Sequence, residues 1–355
     1  MSNKKNKRVP APAPVSEEVL AARKKKGKNI KLNSALLFAG VLVAMLLIFG
    51  GRWVWAIMET YYGAFVERYS VSMKEAADYM EGLDLTLEEE TSLWPLQREW
   101  DLFTSARLRD EVNTTAYDGT VLHGYLYNEG SDVTVMVVPR FHQDGTADFL
   151  SGVMLNELTG CNILLTDPRN HGGSGGSEFG YGYYEQHDLV SWLEWAEQEL
   201  GNQTFILWGE GTGANTILFA EANGLLPGSV AFAVAESSYA SLHKLAKTQI
   251  YQWYSVPAFP FLTAIEWKVN RKAGFSMEDT DLSAALTGKA CDLPVLFLSS
   301  AADTYIYAEW STEVSEIYSG EKEQISGGTA HGTVYAACSE EISTVLTRWT
   351  DRYID

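Results

Sequence analysis

From residue 108 onward, short continuous apolar runs alternate with helix-length segments. The runs are DVTVMVVP (132–139), CNILLTD (161–167), QTFILWG (203–209), SVAFAVAE (229–236) and LPVLFLSS (293–300). Runs this short, rich in Val, Ile, Leu and Phe and bounded by turn residues, predict strands buried on both faces of a parallel sheet. Between them, the segment from Tyr183 to Leu200 sets Leu189, Trp192, Leu193 and Trp195 or Ala196 on one helical stripe. Strand and helix in alternation predict a doubly wound α/β domain. Ahead of the first run, EVNTTAYDGTVLHGYLYN alternates on either side of Asp118-Gly119, which predicts a β-hairpin. No internal repeat is visible.

One interval breaks this rhythm. The stretch from Tyr239 to Ala290 separates two apolar runs and contains IYQWYSVPAFPFLTAIEW, aromatic and punctuated by Pro257 and Pro260. An insertion at that point lies beyond the carboxyl ends of the strands, so a helical cap over a ligand crevice is expected at about 239–290. The Leu, Phe, Trp and Tyr of this cap suggest an apolar pocket, although such residues form cores by default.

The N-terminal part follows a different pattern. ALLFAGVLVAMLLIFGG, Ala35 to Gly51, carries no charge, and WVWAIM extends the apolar stretch past Arg52 to Met58. About twenty apolar residues span a bilayer, so residues 32–58 are expected to form one transmembrane helix. Trp53, Trp55, Tyr61 and Tyr62 cluster at its end, as interface-seeking aromatics do. A cleaved signal peptide would require a small-x-small site after the apolar core, and none is clear.

Charge sharpens this picture. The chain has 355 residues and a formal net charge of −19, but residues 1–31 hold ten Lys/Arg against Glu17 and Glu18 alone. The tail is therefore +8 and the rest −27. Basic residues before the apolar helix place residues 1–31 in the cytoplasm and the main domain on the extracytoplasmic side. An acidic body excludes nucleic acid as a partner and leaves the bilayer as the expected one. Residues 59–107, with Met73 to Met80 and Leu83 to Leu96 rich in Glu and Leu, read as a helical juxtamembrane extension, and 108–355 as the α/β domain.

Cys161, Cys291 and Cys338 are odd in number, far apart and lack metal-ligand spacing, so no disulfide framework and no metal site is expected. No phosphate loop or nicotinamide fingerprint is present either, because GEGTGA lacks the G-x-G-x-x-G spacing and its acidic follow-up. No cofactor is expected.

Reactive groups in an open parallel sheet belong just past the strand ends. Those positions hold Pro139-Arg140-Phe141, Asp167 to Ser174, Gly209 to Gly213, Glu236, Asp303 and His331. Here the chain resembles the bacterial α/β-hydrolases, specifically membrane-anchored esterase- or peptidase-like members, over roughly residues 108–355. YDGTVLHGYLY looks like the family's opening hairpin, DPRNHGGSGGS like its D-x-R-G-H-G-x-S loop, and WGEGTGA sits at the G-x-S-x-G elbow. SSAADTYI resembles the strand end bearing the triad acid, and GGTAHGTVY the loop bearing the triad histidine. Five matches in order are far more specific than any one. The resemblance implies an α/β-hydrolase fold: a mostly parallel central sheet, helices on both faces and a helical cap, preceded by one transmembrane helix.

The family's chain order of nucleophile, acid and histidine maps onto Gly211, Asp303 and His331. A hydrogen cannot attack a carbonyl, so the nucleophile position is vacant. The neighbouring Thr212 would aim its backbone N–H at an oxyanion and turn its side chain away, and Glu210 is expected to project differently again. Ser174, Ser237 and Ser238 read as turn formers or caps. The family's H-G-aromatic, which supplies a second oxyanion donor, is Pro139-Arg140-Phe141 here, leaving the N–H of Phe141 to serve. In contrast, Asn170 replaces a loop glycine with the residue that best tolerates positive φ. The backbone requirement is met where the chemical one is not. Two functions stay open: a ligand- or partner-binding homologue, taking an acyl or peptide ligand, and a hydrolase of esters or peptides using His331–Asp303 on water or a substituted nucleophile. A metal held by Glu210, Glu236, Asp167 and His331 is a third, weakly supported by spacing.

Overall fold

The computed structural model describes residues 17–66, 102–141, 143–145, 150–328, 331 and 334–354. The expected helices of 73–80 and 83–96 lie outside the described residues, as does the start of the basic tail. The chain divides into two compact units, Met1–Ala56 and Ile57–Asp355.

The first described element, α1 (Glu17–Val66), runs as one helix through the apolar stretch. Ala39–Gly63 is long and apolar enough to cross a membrane, with a mean hydropathy of 2.0. Its outer positions, including Leu37, Leu47 and Phe49, are exposed.

The second unit is built on an eight-stranded sheet in the order β1-β2-β4-β3-β5-β6-β7-β8. The strands are β1 (Asp110–Thr115), β2 (Val121–Tyr127), β3 (Val133–Val138), β4 (Asn162–Thr166), β5 (Thr204–Glu210), β6 (Val230–Glu236), β7 (Val295–Ser300) and β8 (Lys322–Gly327). β2 is antiparallel to both of its neighbours, and every other pairing is parallel. The opening hairpin turns at the expected residues: Gly119 has φ 87°, and Asp118 Oδ1 accepts from Thr120 N–H at 3.0 Å.

The continuous apolar runs are explained by a core on each side of the sheet. One side takes Met136, Leu164, Leu207, Ala233 and Phe297; the intervening Val137, Ile163, Leu165, Trp208, Val234 and Leu298 face the other. The first core is closed by α3 (Glu185–Leu200), α4 (Thr212–Ala222), α7 (Leu282–Leu286) and α8 (Ala308–Ile317). The second is closed by α2 (Leu150–Thr159), α9 (Val334–Ala337) and α10 (Ser339–Tyr353). The expected stripe of α3 is buried at Leu189, Trp192, Leu193 and Ala196. Cys161 and Cys291 are buried thiols, and burial pushes Cys161 up to about 11, so it stays a neutral apolar side chain.

Between β6 and β7 the chain leaves the sheet to form α5 (Leu242–Tyr254), α6 (Ala258–Lys272), a 3-10 turn (Met277–Thr280) and α7. The turn starts with a capping box in which Ser276 and Asp279 each satisfy the other's backbone N–H. This insertion is fastened to the loops above the sheet. Tyr184 Oη donates to the Ala273 carbonyl at 2.7 Å, and Gln252 Nε2 donates to the Thr304 carbonyl at 3.1 Å.

Candidate functional site

The tightest point of the fold is the turn from β5 into α4. A Cβ on Gly213 would stand 1.9 Å from the Val138 carbonyl oxygen, and one on Gly209 would stand 2.4 Å from the Gly213 carbonyl carbon. These two glycines let the helix start directly against the ends of β5 and β3. Gly211, between them, has φ 55° and ψ −111°, a conformation that side-chain-bearing residues adopt only under strain. Space is not the constraint there. A Cβ on Gly211 would meet Arg140 Cβ at 3.4 Å and Ile306 Cδ1 at 3.7 Å, which is ordinary contact. The turn is held by Gly211 N–H, which donates to the Glu236 carbonyl at 2.8 Å.

Asp303 and His331, 28 residues apart, meet at 2.6 Å between Oδ2 and Nδ1. The other Asp303 oxygen accepts from the N–H groups of Tyr305 at 2.7 Å and Ile306 at 2.9 Å. Such an arrangement orients a carboxylate and fixes the imidazole with its Nε2 pointing away from the acid. That Nε2 is buried and has no hydrogen-bond partner in the described structure. The Tyr305 ring lies 5.1 Å from the His331 ring and flanks it.

Glu210, expected with Arg140, Phe141 and Thr212 among the oxyanion or binding residues although projecting differently from position 211, lies over this pair. Its Oε1 lies 3.7 Å from His331 Nε2 and forms an ion pair with the Arg140 guanidinium. The reason is that β5 continues through Glu210, in register with Glu236 on β6. The side chain is long enough to bend back over the turn, where Arg140, on the loop after β3, holds it.

Glu236 was placed at a strand end by the sequence and grouped with Glu210, Asp167 and His331 only as a possible metal ligand. In the fold it is fully buried beside Glu210. Burial, with the Glu210 charge next in importance, pushes its carboxyl up to about 8; Arg140 and the Trp208 indole pull the other way. The signal was available, since β5 and β6 both end on glutamate in parallel register. What sequence lacks is the neighbour relation between the two strands.

Other sequence-singled residues have structural duties. Asp167 pairs with His123 at 2.7 Å and accepts from the N–H groups of Gly145 and Gly173, both at 2.7 Å. It is therefore engaged away from Glu210 and His331. Among the described residues no three His, Cys, Asp or Glu side chains converge as a metal site. Ser174 donates to the Asp167 carbonyl at 2.8 Å, and Asn170 stands at φ 63° as its loop requires. Arg169 makes two bonds to Asp188, at 2.7 and 2.6 Å, and a third to Asp118 at 3.0 Å. Ser238 lies 3.4 Å from Ser311, whereas Ser237 sits at φ 51° with a buried, unpartnered hydroxyl. Thr212 is buried with its hydroxyl unpartnered as well.

Phe141 contributes its ring to an aromatic cluster that sequence reasoning missed. It lies 5.5 Å from His171 and 5.0 Å from both Phe179 and Tyr181. Tyr181, fully buried at φ 54°, is pushed well above the ordinary phenol range by burial, with Tyr61, Tyr239 and Tyr305 crowding it. The Tyr239 hydroxyl is buried without a partner. The neighbourhood of the Asp303–His331 pair is thus largely aromatic, with a few polar atoms left unsatisfied.

No family model matches the chain. A 149-residue stretch is 28% identical to the uncharacterised protein YqkD of Bacillus subtilis, covering 41% of this chain and 48% of that one. The chain thus spans about half the length of the curated relative it matches. Among solved structures, the Pyrococcus furiosus esterase Pf2001 superposes with a TM-score of 0.56 at 20% identity, over 70% of this chain and 94% of that one. Mouse alpha/beta hydrolase domain-containing protein 10 gives 0.52 at 16% identity, over 68% and 99%. The α/β hydrolase GrgF from Penicillium gives 0.50 at 18%, over 69% and 99%. Such identities speak for architecture alone, and with the 1-2-4-3-5-6-7-8 sheet and its one antiparallel strand they establish that this chain has the α/β-hydrolase fold.

Proposed function

We propose that the chain is a membrane-anchored, extracytoplasmic α/β-hydrolase homologue that has lost serine hydrolysis and binds an acyl or peptide ligand at the former reaction site. The observation that carries this reading is the contrast at one turn. Gly211 occupies the strained elbow with room for a side chain, yet presents only hydrogen, while Asp303 and His331 remain paired at 2.6 Å. A serine there would receive its general base from His331 Nε2. Instead that nitrogen faces Glu210, whose charge is held by Arg140. Removing the nucleophile abolishes the covalent route, which a histidine–aspartate base acting on water replaces only in part, at ~10²–10⁴-fold. The anchor is supported by the apolar span Ala39–Gly63, and the orientation by the ten basic residues before it.

A second reading is favoured by the unpartnered His331 Nε2, an acceptor placed to take a proton from water. On that reading the protein hydrolyses esters or peptides slowly, without a covalent intermediate. Two measurements separate the readings. Fluorophosphonate labelling of the native chain is expected to fail, and labelling would overturn both. Gly211→Ser is expected to become labelled. Turnover of short acyl esters or peptides by the native chain, lost in His331→Ala, would select the hydrolase; ligand binding without turnover selects the homologue.

A further inference from the structure

We infer that the exposed face of α5 and α6 is a docking surface for an anionic phospholipid bilayer, set against the same membrane that α1 enters. The inference rests on the membrane reading of α1 and adds a second contact to it. It starts from where the apolar span ends. Ile57, Met58, Tyr61 and Tyr62, the last turns of Ala39–Gly63, are buried within the compact second unit. Tyr61 Oη donates to the Ala246 carbonyl at 3.4 Å and to Gln249 Oε1 at 3.3 Å, both on α5. Glu59 forms an ion pair with Lys268 of α6, whose ammonium lies 4.2 Å from the centre of the Tyr62 ring. Residues that end an apolar span lie at headgroup depth, so the two helices gripping them lie there as well.

The outward face of those helices is suited to that depth. On α6, Thr263, Trp267 and Arg271 are exposed at four-residue intervals, one side of a helix, with Phe259 exposed at its entrance. The Arg271 guanidinium lies 5.8 Å from the Trp267 ring centre. On α5, Lys247 and Tyr251 are exposed one turn apart. Tyr251, Phe259 and Trp267 are 68%, 76% and 54% exposed, three large aromatic side chains within seventeen residues of these two helices. Residues 242–273 carry Lys244, Lys247, Lys268, Arg271 and Lys272 against Glu266 alone; with Lys268 buried against Glu59 and Lys244 paired with Glu313, Lys247, Arg271 and Lys272 are the cations left facing outward. That positive segment belongs to a body whose charge after residue 31 is −27. Aromatic side chains interleaved with cations at interface depth match anionic headgroups and the acyl boundary beneath them. The contact also reaches the site, because Gln252 of α5 is bonded to Thr304, the residue after Asp303.

The test uses the full chain in nanodiscs, in a Cys338→Ser background. One environment-sensitive fluorophore is placed at Thr263→Cys, and in a second sample at Gln198→Cys, exposed on α3. With headgroup spin-labelled lipid in discs containing phosphatidylglycerol, the Thr263 probe is expected to be quenched several-fold more than the Gln198 probe. Reversing Lys247, Arg271 and Lys272 to Glu should bring its quenching down towards that of Gln198. Equal quenching at both positions, or quenching unmoved by charge reversal, overturns the docking surface and leaves those aromatics to a protein partner. Resistance of disc association to a high-salt wash reads the anchor separately, so loss of association would overturn the membrane reading itself.

Discussion

Nε2 of His331 lies 3.7 Å from Glu210, while Nδ1 of the same ring lies 2.6 Å from Asp303. One imidazole is therefore held between two carboxylates, one fixed by backbone N–H groups and the other by Arg140. Beneath Glu210, its register partner Glu236 is buried and holds its proton to about pH 8. The site is a chain of acidic groups in contact with the Arg140 guanidinium, and its stability depends on how many carry charge.

Glu236 makes that dependence measurable. Its folded pKa of about 8 is above the value of 4.5 for a free glutamate, so the folded state binds the extra proton. Stability from this group is fully present below about pH 4.5 and is lost progressively as pH rises towards 8. Glu236→Gln should flatten this slope and be more stable than the native chain at pH 8, by roughly 4 kcal/mol at most, while the two converge below about pH 5. Thermal melts of the detergent-solubilised chain across that range check it. A native slope retained in the Gln variant would exclude Glu236 as its source.

Arg140 should matter in the opposite sense. Arg140→Met leaves Glu210 beside Glu236 without its counter-charge, and a destabilisation of about 2 kcal/mol is expected, below the full cost of breaking a fully buried pair because Arg140 is partly solvated. The same change removes the group that draws the Glu236 carboxyl down, so the pH-dependent loss of stability should extend to higher pH. Melting curves of the single variant and of Arg140→Met with Glu236→Gln would show whether the two effects couple.

The elbow glycines should separate by size rather than by conformation. Gly213→Ala drives a Cβ to 1.9 Å from the Val138 carbonyl, so loss of more than ~3 kcal/mol, or failure to fold, is expected. Gly211→Ala meets no atom closer than 3.4 Å and pays only for its φ of 55°, about 1–2 kcal/mol. A melting comparison of the two variants tests this ordering, and an equal loss would contradict it.

Arg169 is predicted to be structural. Its side chain is 6% exposed, with Asp188 bonded twice and Asp118 once. Arg169→Met strands the buried Asp188 and should cost about 3–4 kcal/mol, with Asp188→Asn added on top recovering part of it. Denaturant titration of the single and double variants gives the coupling, and strict additivity would argue against the pair.

Much of this fold could be read directly. The five apolar runs became β3 to β7 within a residue or two, because strands covered on both faces must be apolar at every position. The Asp118-Gly119 hairpin and Asn170 at positive φ were legible for the same local reason, that few residues accept those dihedrals. β8 was not legible, because KEQISG buries only Ile325 and leaves its other side chains partly or fully exposed at the sheet's edge. The Phe141–His171–Phe179–Tyr181 cluster and the bend of Glu210 were also missed. Neither follows a period in the chain, and both arise where loops from separate strands converge.

The sequence by itself determined the parallel sheet, the apolar helix and the glycine at position 211, since burial, hydropathy and glycine's missing side chain act residue by residue. Only the tertiary structure decided that the pair Asp303 and His331, expected by resemblance, closes to 2.6 Å, that Glu210 and Glu236 stand side by side, and that the end of α1 is gripped by α5 and α6. These are relations between positions 26 to more than 200 residues apart. Their energies come from desolvation and charge at contact distance, which exist only once the strands have taken their order in the sheet.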